Sequence, residues 1–168
     1  MEPVSLEEIE DEDVLLYLSC NNDMIFSVNK KYALISNLIK TTIMCDANAG
    51  LTKDKSIRIS KSNTKCLSLI IDYMNIHKGD DGVIPEPPIK HTDMKKILPN
   101  KKDAEFCDNL VKTENGILDE TLLFDVTLVS NYMDMNILLH KLCAKIATQL
   151  KDKTFEEIQE ILSSVTHK

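Results

Sequence analysis

The sequence predicts an α/β protein, with strands and helices mixed in its first half and helices filling its second. Three observations carry that reading: short alternating apolar runs before residue 30, a switch to apolar residues three and four apart around residues 66–74, and a helix-start signature at Thr154 to Glu157.

Val14-Leu15-Leu16-Tyr17-Leu18 is short, apolar and partly β-branched, Asn21-Asn22-Asp23 has turn chemistry, and Met24-Ile25-Phe26-Ser27-Val28 resumes the pattern. Together they predict a hairpin over residues 14–28. From Tyr32, residues Ala33, Leu34, Leu38 and Ile39 suit one helical face that continues weakly to Met44, and residues 50–54 break it. Ser56-Ile57-Arg58-Ile59-Ser60 alternates as a third strand. Cys66, Leu67, Ile70, Ile71, Tyr73 and Met74 then define a compact helix that ends at His77-Lys78-Gly79.

Pro85, Pro87 and Pro88 remove backbone donors and favour extended chain, so residues 79–99 are expected to form an exposed connector. Phe106, Leu110 and Val111 share a helical side, Asn115-Gly116 interrupts, and Asp119 is placed to cap the next helix through Leu122, Leu123, Val126 and Val129. Leu138, Leu142, Ile146 and Leu150 follow at intervals of four, a single stripe. Thr154-Phe155-Glu156-Glu157 matches a capping box, in which the Thr154 oxygen accepts from the Glu157 amide and the Glu157 carboxylate accepts from the Thr154 amide. The last helix should then turn Phe155, Ile158, Ile161 and Leu162 inward.

The chain's 168 residues and 19.0 kDa fit one domain or two small lobes, enough to bury about 70% of the unfolded chain's surface. Net charge is -7, and residues 2–13 hold seven carboxylates and no base, which predicts a solubilising acidic arm and disfavours a phosphate backbone as partner. Lys101-Lys102 and the lysines of 151–153 are too sparse for a nucleic-acid track. Five cysteines without a C-x-x-C pair suggest neither a disulfide framework nor a zinc module, and point to a reducing compartment. No run approaches the roughly 20 apolar residues needed to span a bilayer.

Enzyme readings find little footing. His77, His91, His140 and His167 lie in different elements without metal-ligand spacing, so neither a metal nor another cofactor is expected. Cys143 falls in an apolar stripe, as a space-filling buried thiol would. Asp80-Asp81 and Glu156-Glu157 are adjacent pairs whose side chains diverge, and no acid-base pair stands out.

The stretch Leu123-Phe124-Asp125-Val126-Thr127-Leu128-Val129-Ser130-Asn131-Tyr132-Met133-Asp134-Met135-Asn136-Ile137-Leu138-Leu139 resembles the Skp1 family, the BTB/POZ-fold adaptors that join a cullin scaffold to F-box substrate receptors in SCF ubiquitin ligases. The likeness runs ungapped through Cys143, Ala147, Lys151, Lys153-Thr154 and Glu156-Glu157-Ile158, about forty residues. Phe26, Val28, Ala33, Ser36, Ile39 and Lys40, then Ile57, Ile59, Asn63, Leu67, Ile70, Ile71, Tyr73, His77 and Lys78, match the family's first half in the same order.

The resemblance implies a BTB/POZ domain over residues 14–134, containing the 79–99 connector and preceded by a flexible arm at 1–13. Skp1-like C-terminal helices follow over 135–168. It implies a non-catalytic adaptor of cytoplasm and nucleus that is associated only indirectly with RING and ubiquitin-conjugating enzymes, and that binds neither nucleic acid nor membrane. Asn131 and Tyr132 match cullin-facing positions. On residue chemistry alone the favoured reading is a helix end at Asn131 and a half-buried core aromatic at Tyr132, and it is the resemblance that turns them toward an interface. Leu123, Phe124, Leu139, Cys143, Ile146, Phe155 and Ile158 match the side that receives an F-box helix pair, although some of them could pack only within the domain.

Several departures stand out. Arg58 and Ser60 replace prolines, the tryptophan before Asp103 is missing, and extra residues separate Phe106 from Asp119. Thr127 replaces an apolar residue, and its hydroxyl would weaken a dry contact if unpaired. The family's charged terminal helix has no counterpart before Lys168, which implies a shortened receptor side. The alternative is an elongin-C-like or other BTB-fold interaction or structural subunit that binds no F-box protein.

Overall fold

The computed structural model describes residues 14–111 and 119–166; the acidic arm and Asn115-Gly116 lie outside them. The chain divides into two compact units, one taking the described residues through Gly82 together with Val129–Met135, the other taking Val83–Leu128 and the residues from Asn136 onward.

In the first unit the expected hairpin forms as β1 (Leu15–Ser19) and β2 (Ile25–Asn29), antiparallel with Leu16 opposite Val28 and Leu18 opposite Phe26. Alternation sends Leu16 and Leu18 into the core, at 1% and 0% exposure. The turn is closed by Cys20 N donating to Met24 O at 3.1 Å, with Asp23 in the left-handed region at φ 64°. β3 (Ile57–Arg58) pairs parallel to β1, giving the order β2-β1-β3. The third strand is shorter than the alternation of 56–60 predicts. Ile59 N still donates to Ser19 O at 2.7 Å, but a turn from Ile59 to Ser62 then draws the chain off the sheet.

The helix expected from Tyr32 is two helices, α1 (Lys30–Ala33) and α2 (Asn37–Cys45). Ser36 causes the break, because its extended backbone starts a new helix and its hydroxyl accepts from Ile39 N at 3.3 Å. α3 (Thr64–His77) begins at Asn63, whose side chain accepts from Cys66 N at 2.9 Å, and buries all six apolar residues read from its spacing. It ends as expected, with Lys78 at φ 52° and Gly79 at φ 97°. A side chain at Gly79 would also meet the Lys31 carbonyl oxygen at 3.2 Å.

The second unit starts with the proline-rich segment. Residues 79–99 are not exposed throughout: α4 (Met94–Ile97) interrupts them, and Met94 and Leu98 are buried at 1% and 3% exposure. The sequence hides this turn of helix because four residues are too few to show a period. α5 (Lys101–Asn109) follows, and Leu110 and Val111 are buried just past its end. α6 (Thr121–Tyr132) runs from the second unit into the first, with Asp119 Oδ1 accepting from Thr121 N at 2.8 Å. α7 (Asn136–Leu150) and α8 (Phe155–Thr166) complete the chain.

α5 and α7 are joined by two ion pairs that spacing did not reveal. Lys141 Nζ lies 2.7 Å from Asp103 Oδ2, with side chains 3% and 5% exposed, and Lys145 Nζ lies 2.8 Å from Asp108 Oδ1, at 7% and 27%. Cys107 is buried among them. Its burial, with Asp103 adding, pushes the thiol up to about 12, so it stays protonated at neutral pH.

Candidate partner-binding surfaces

Asn131 and Tyr132 occupy the last turn of α6 and are both exposed. The turn is locked by a Schellman motif: Asp134, at φ 51°, donates its N–H to Asn131 O at 3.1 Å, and Met135 N donates to Ser130 O at 3.0 Å. The same turn anchors α2. Asn37 N donates to Asp134 O and Leu38 N to Met133 O, both at 3.2 Å, and the Ser36 hydroxyl donates to Met133 O at 2.6 Å. Two otherwise orphaned amides at the start of α2 are thereby satisfied. Ser60 places its hydroxyl 3.3 Å from the Tyr132 hydroxyl. The result is a fixed turn that presents one amide and one phenol.

The second candidate surface belongs to α6, α7 and α8 within the second unit. Leu139, Cys143 and Ile146 follow one another at four and three residues on α7, Leu139 and Ile146 half-buried and Cys143 exposed. The other side of the helix is closed by Leu138, Lys141, Leu142, Lys145 and Thr148. Cys143 is therefore not the buried space-filler expected of its stripe, though partial burial still raises its thiol above the ordinary value. Phe124 is half-buried. Leu123 is fully buried at 0% exposure and offers no area to a partner, because it falls on the interior side of α6 with Val126 and Val129. The Thr127 hydroxyl is not unpaired; it donates to Leu123 O at 2.6 Å.

The capping box of α8 forms as read, with Thr154 N donating to Glu157 Oε2 at 2.8 Å and Glu157 N to Thr154 Oγ1 at 3.3 Å. The Thr154 amide holds the Glu157 carboxyl below its usual range. The helix does not, however, turn its apolar side wholly inward. Phe155 is 69% and Leu162 42% exposed, with Ile158 and Ile161 half-buried. An amphipathic helix with that much uncovered apolar area marks an interaction site more readily than a finished core. Among the described residues, no three His, Cys, Asp or Glu side chains are grouped to hold a metal ion, and no helix is long and apolar enough to cross a membrane.

No family model matches the chain. Similarity to individual proteins is extensive. The chain is 34% identical over 146 residues to the S-phase kinase-associated protein 1 homolog of Tetrahymena thermophila, covering 85% of this chain and 77% of that one. It is 26% identical over 157 residues to the SCF ubiquitin ligase complex protein SKP1a of Dictyostelium discoideum, covering 89% and 83%. A Skp1-related protein of Caenorhabditis elegans is 28% identical over 145 residues, covering 84% and 76%. With this coverage, and with a small mixed sheet and eight α-helices among the described residues consistent with a BTB-like fold, the chain belongs to the Skp1 family.

Proposed function

We propose that this protein is the adaptor of an SCF-type ubiquitin ligase in cytoplasm and nucleus, holding a cullin at the Asn131-Tyr132 turn and an F-box receptor along α7 and α8. The observation that carries the reading is the apolar area left open on α8, where Phe155 is 69% and Leu162 42% exposed, together with the exposed Cys143 between half-buried Leu139 and Ile146 on α7. An amphipathic helix pair laid on them would bury side chains from both sides. Names of relatives as SCF subunits give independent support. On this reading the protein contributes placement, and the RING and conjugating enzymes contribute the chemistry.

The turn and the helices fall in different compact units, which suits a part that must hold two partners at once. The test is cullin binding by Asn131→Ala/Tyr132→Ala, which removes a directional amide and an exposed aromatic. A loss of at least about 1 kcal/mol is expected if either is central. Retained F-box binding in the same variant shows that it is folded; unchanged cullin affinity would reject the assigned surface.

A further inference from the structure

The second unit carries a concentration of positive charge that runs against the rest of the chain. Residues 90–102 hold Lys90, Lys95, Lys96, Lys101 and Lys102 against one acid, Asp93, in a protein of net charge -7. All five lysines are exposed, and none forms an ion pair among the described residues. The local acids are committed elsewhere. Asp93 Oδ1 accepts from Lys95 N at 3.0 Å to start α4, and Asp103 is buried against Lys141. Lys101 and Lys102 stand at the positive end of the α5 dipole, where the acid of the first turn is already matched.

Part of the same stretch lines an open cavity of about 520 Å³. Pro85, Pro87, Ile89 and Ile97 give it apolar walls, Lys90, His91 and Lys96 line it with them, and Glu86 is the one carboxylate among its lining residues. The prolines have a fixed φ, so little order is lost when a partner settles against them.

We propose that this cavity and its lysines dock an extended, acidic segment of a partner protein, which seats an apolar side chain between its carboxylates. The lysines attract and orient the segment by charge complementarity. Burial of its apolar side chain against Ile89 and Ile97 adds the affinity that exposed ion pairs supply poorly. A nucleic acid suits the surface less well, because single strands are held on aromatic platforms and no Phe, Tyr or Trp lines the cavity. None of the lining residues belongs to the cullin or receptor positions named above, so the surface stands apart from the adaptor reading.

The test is fluorescence anisotropy of a labelled short Glu/Asp peptide with one central leucine, titrated with the full chain at low and at high salt. The native chain is compared with Lys90→Ser/Lys96→Ser and with Lys61→Ser/Lys65→Ser, an equal charge change at exposed sites of the first unit, after circular dichroism confirms equal helix content. The expected result is binding that weakens with salt and falls at least about threefold in Lys90→Ser/Lys96→Ser, with the control nearly unchanged. Replacing the peptide's leucine with serine should also weaken binding at least about threefold.

Equal losses in the two lysine variants would show attraction to charge anywhere on the chain and overturn the surface. Unchanged binding of the serine peptide would overturn the apolar anchor and with it the use of the cavity. An oligothymidylate that binds more tightly than the peptide would overturn a protein partner in favour of a nucleic acid. No binding by the native chain would overturn the proposal, and binding that appears only in a chain lacking residues 1–13 would assign the cavity to the protein's own acidic arm instead. Each of these outcomes leaves the adaptor reading where it was.

Discussion

Replacing Lys141 with alanine should cost far more than the loss of one surface charge. Its ammonium is 2.7 Å from the Asp103 carboxylate, and the two side chains are 3% and 5% exposed, so water cannot take over the vacated place. An exposed pair contributes about 0–1 kcal/mol, whereas removing one partner of a buried pair strands the other charge and costs about 3–5 kcal/mol. With a urea slope of about 2 kcal/mol/M, the unfolding midpoint should fall by roughly 1.5–2.5 M. Lys145→Ala should cost less, because the Asp108 side chain is 27% exposed and can be rehydrated. Replacing both members of the buried pair, as Lys141→Met with Asp103→Leu, removes the stranded charge and should return stability to within about 1 kcal/mol of the native chain. Urea titration followed by circular dichroism measures all three. A midpoint shift below about 0.5 M for Lys141→Ala, or a double variant no better than the single one, would refute the reasoning.

Thr154→Ala removes the acceptor for the Glu157 amide and should loosen α8 by roughly 0.5–2 kcal/mol, seen as faster amide exchange in its first turn, with weaker F-box binding if the helix forms part of that surface. Because the folded Glu157 carboxyl titrates below its unfolded value, the cap's contribution should be complete above about pH 4.5 and fade as pH falls. The Cys107 thiol has the opposite sign. Its folded value of about 12 lies above the ordinary 9.0, so stability from this group should hold below about pH 9 and decline as pH rises toward 12. Cys107→Ala should flatten that alkaline decline in a pH series of unfolding midpoints.

Local chemistry was legible in the sequence where the deciding atoms are near one another along the chain. The hairpin, the α3 face, the Lys78-Gly79 stop and the Thr154 cap each follow from residues within a few positions, and each formed as read. The cap at Ser36 was missed because a weak apolar period continued across it, and its hydroxyl also reaches a partner far along the chain, Met133 O 97 positions away. Lys141 and Asp103 are 38 positions apart, and charged residues on helices ordinarily face water. The one signal was the repetition of Lys141 and Lys145 four apart, beside the buried stripe and matched by two aspartates on α5. For the candidate surfaces, sequence pattern identified apolar positions but not their exposure: Leu123 is sealed, Cys143 is open, and Phe155 at the start of α8 faces solvent. Those outcomes depend on which neighbouring elements arrive to cover a face, information that periodicity does not carry.

The adaptor reading is tested most directly by mixing the chain with a cullin N-terminal domain and an F-box domain and measuring mass by size-exclusion chromatography with light scattering. It predicts a single equimolar ternary complex that does not form when this chain is left out. Separate elution of either partner, or mutually exclusive binding of the two, would contradict it.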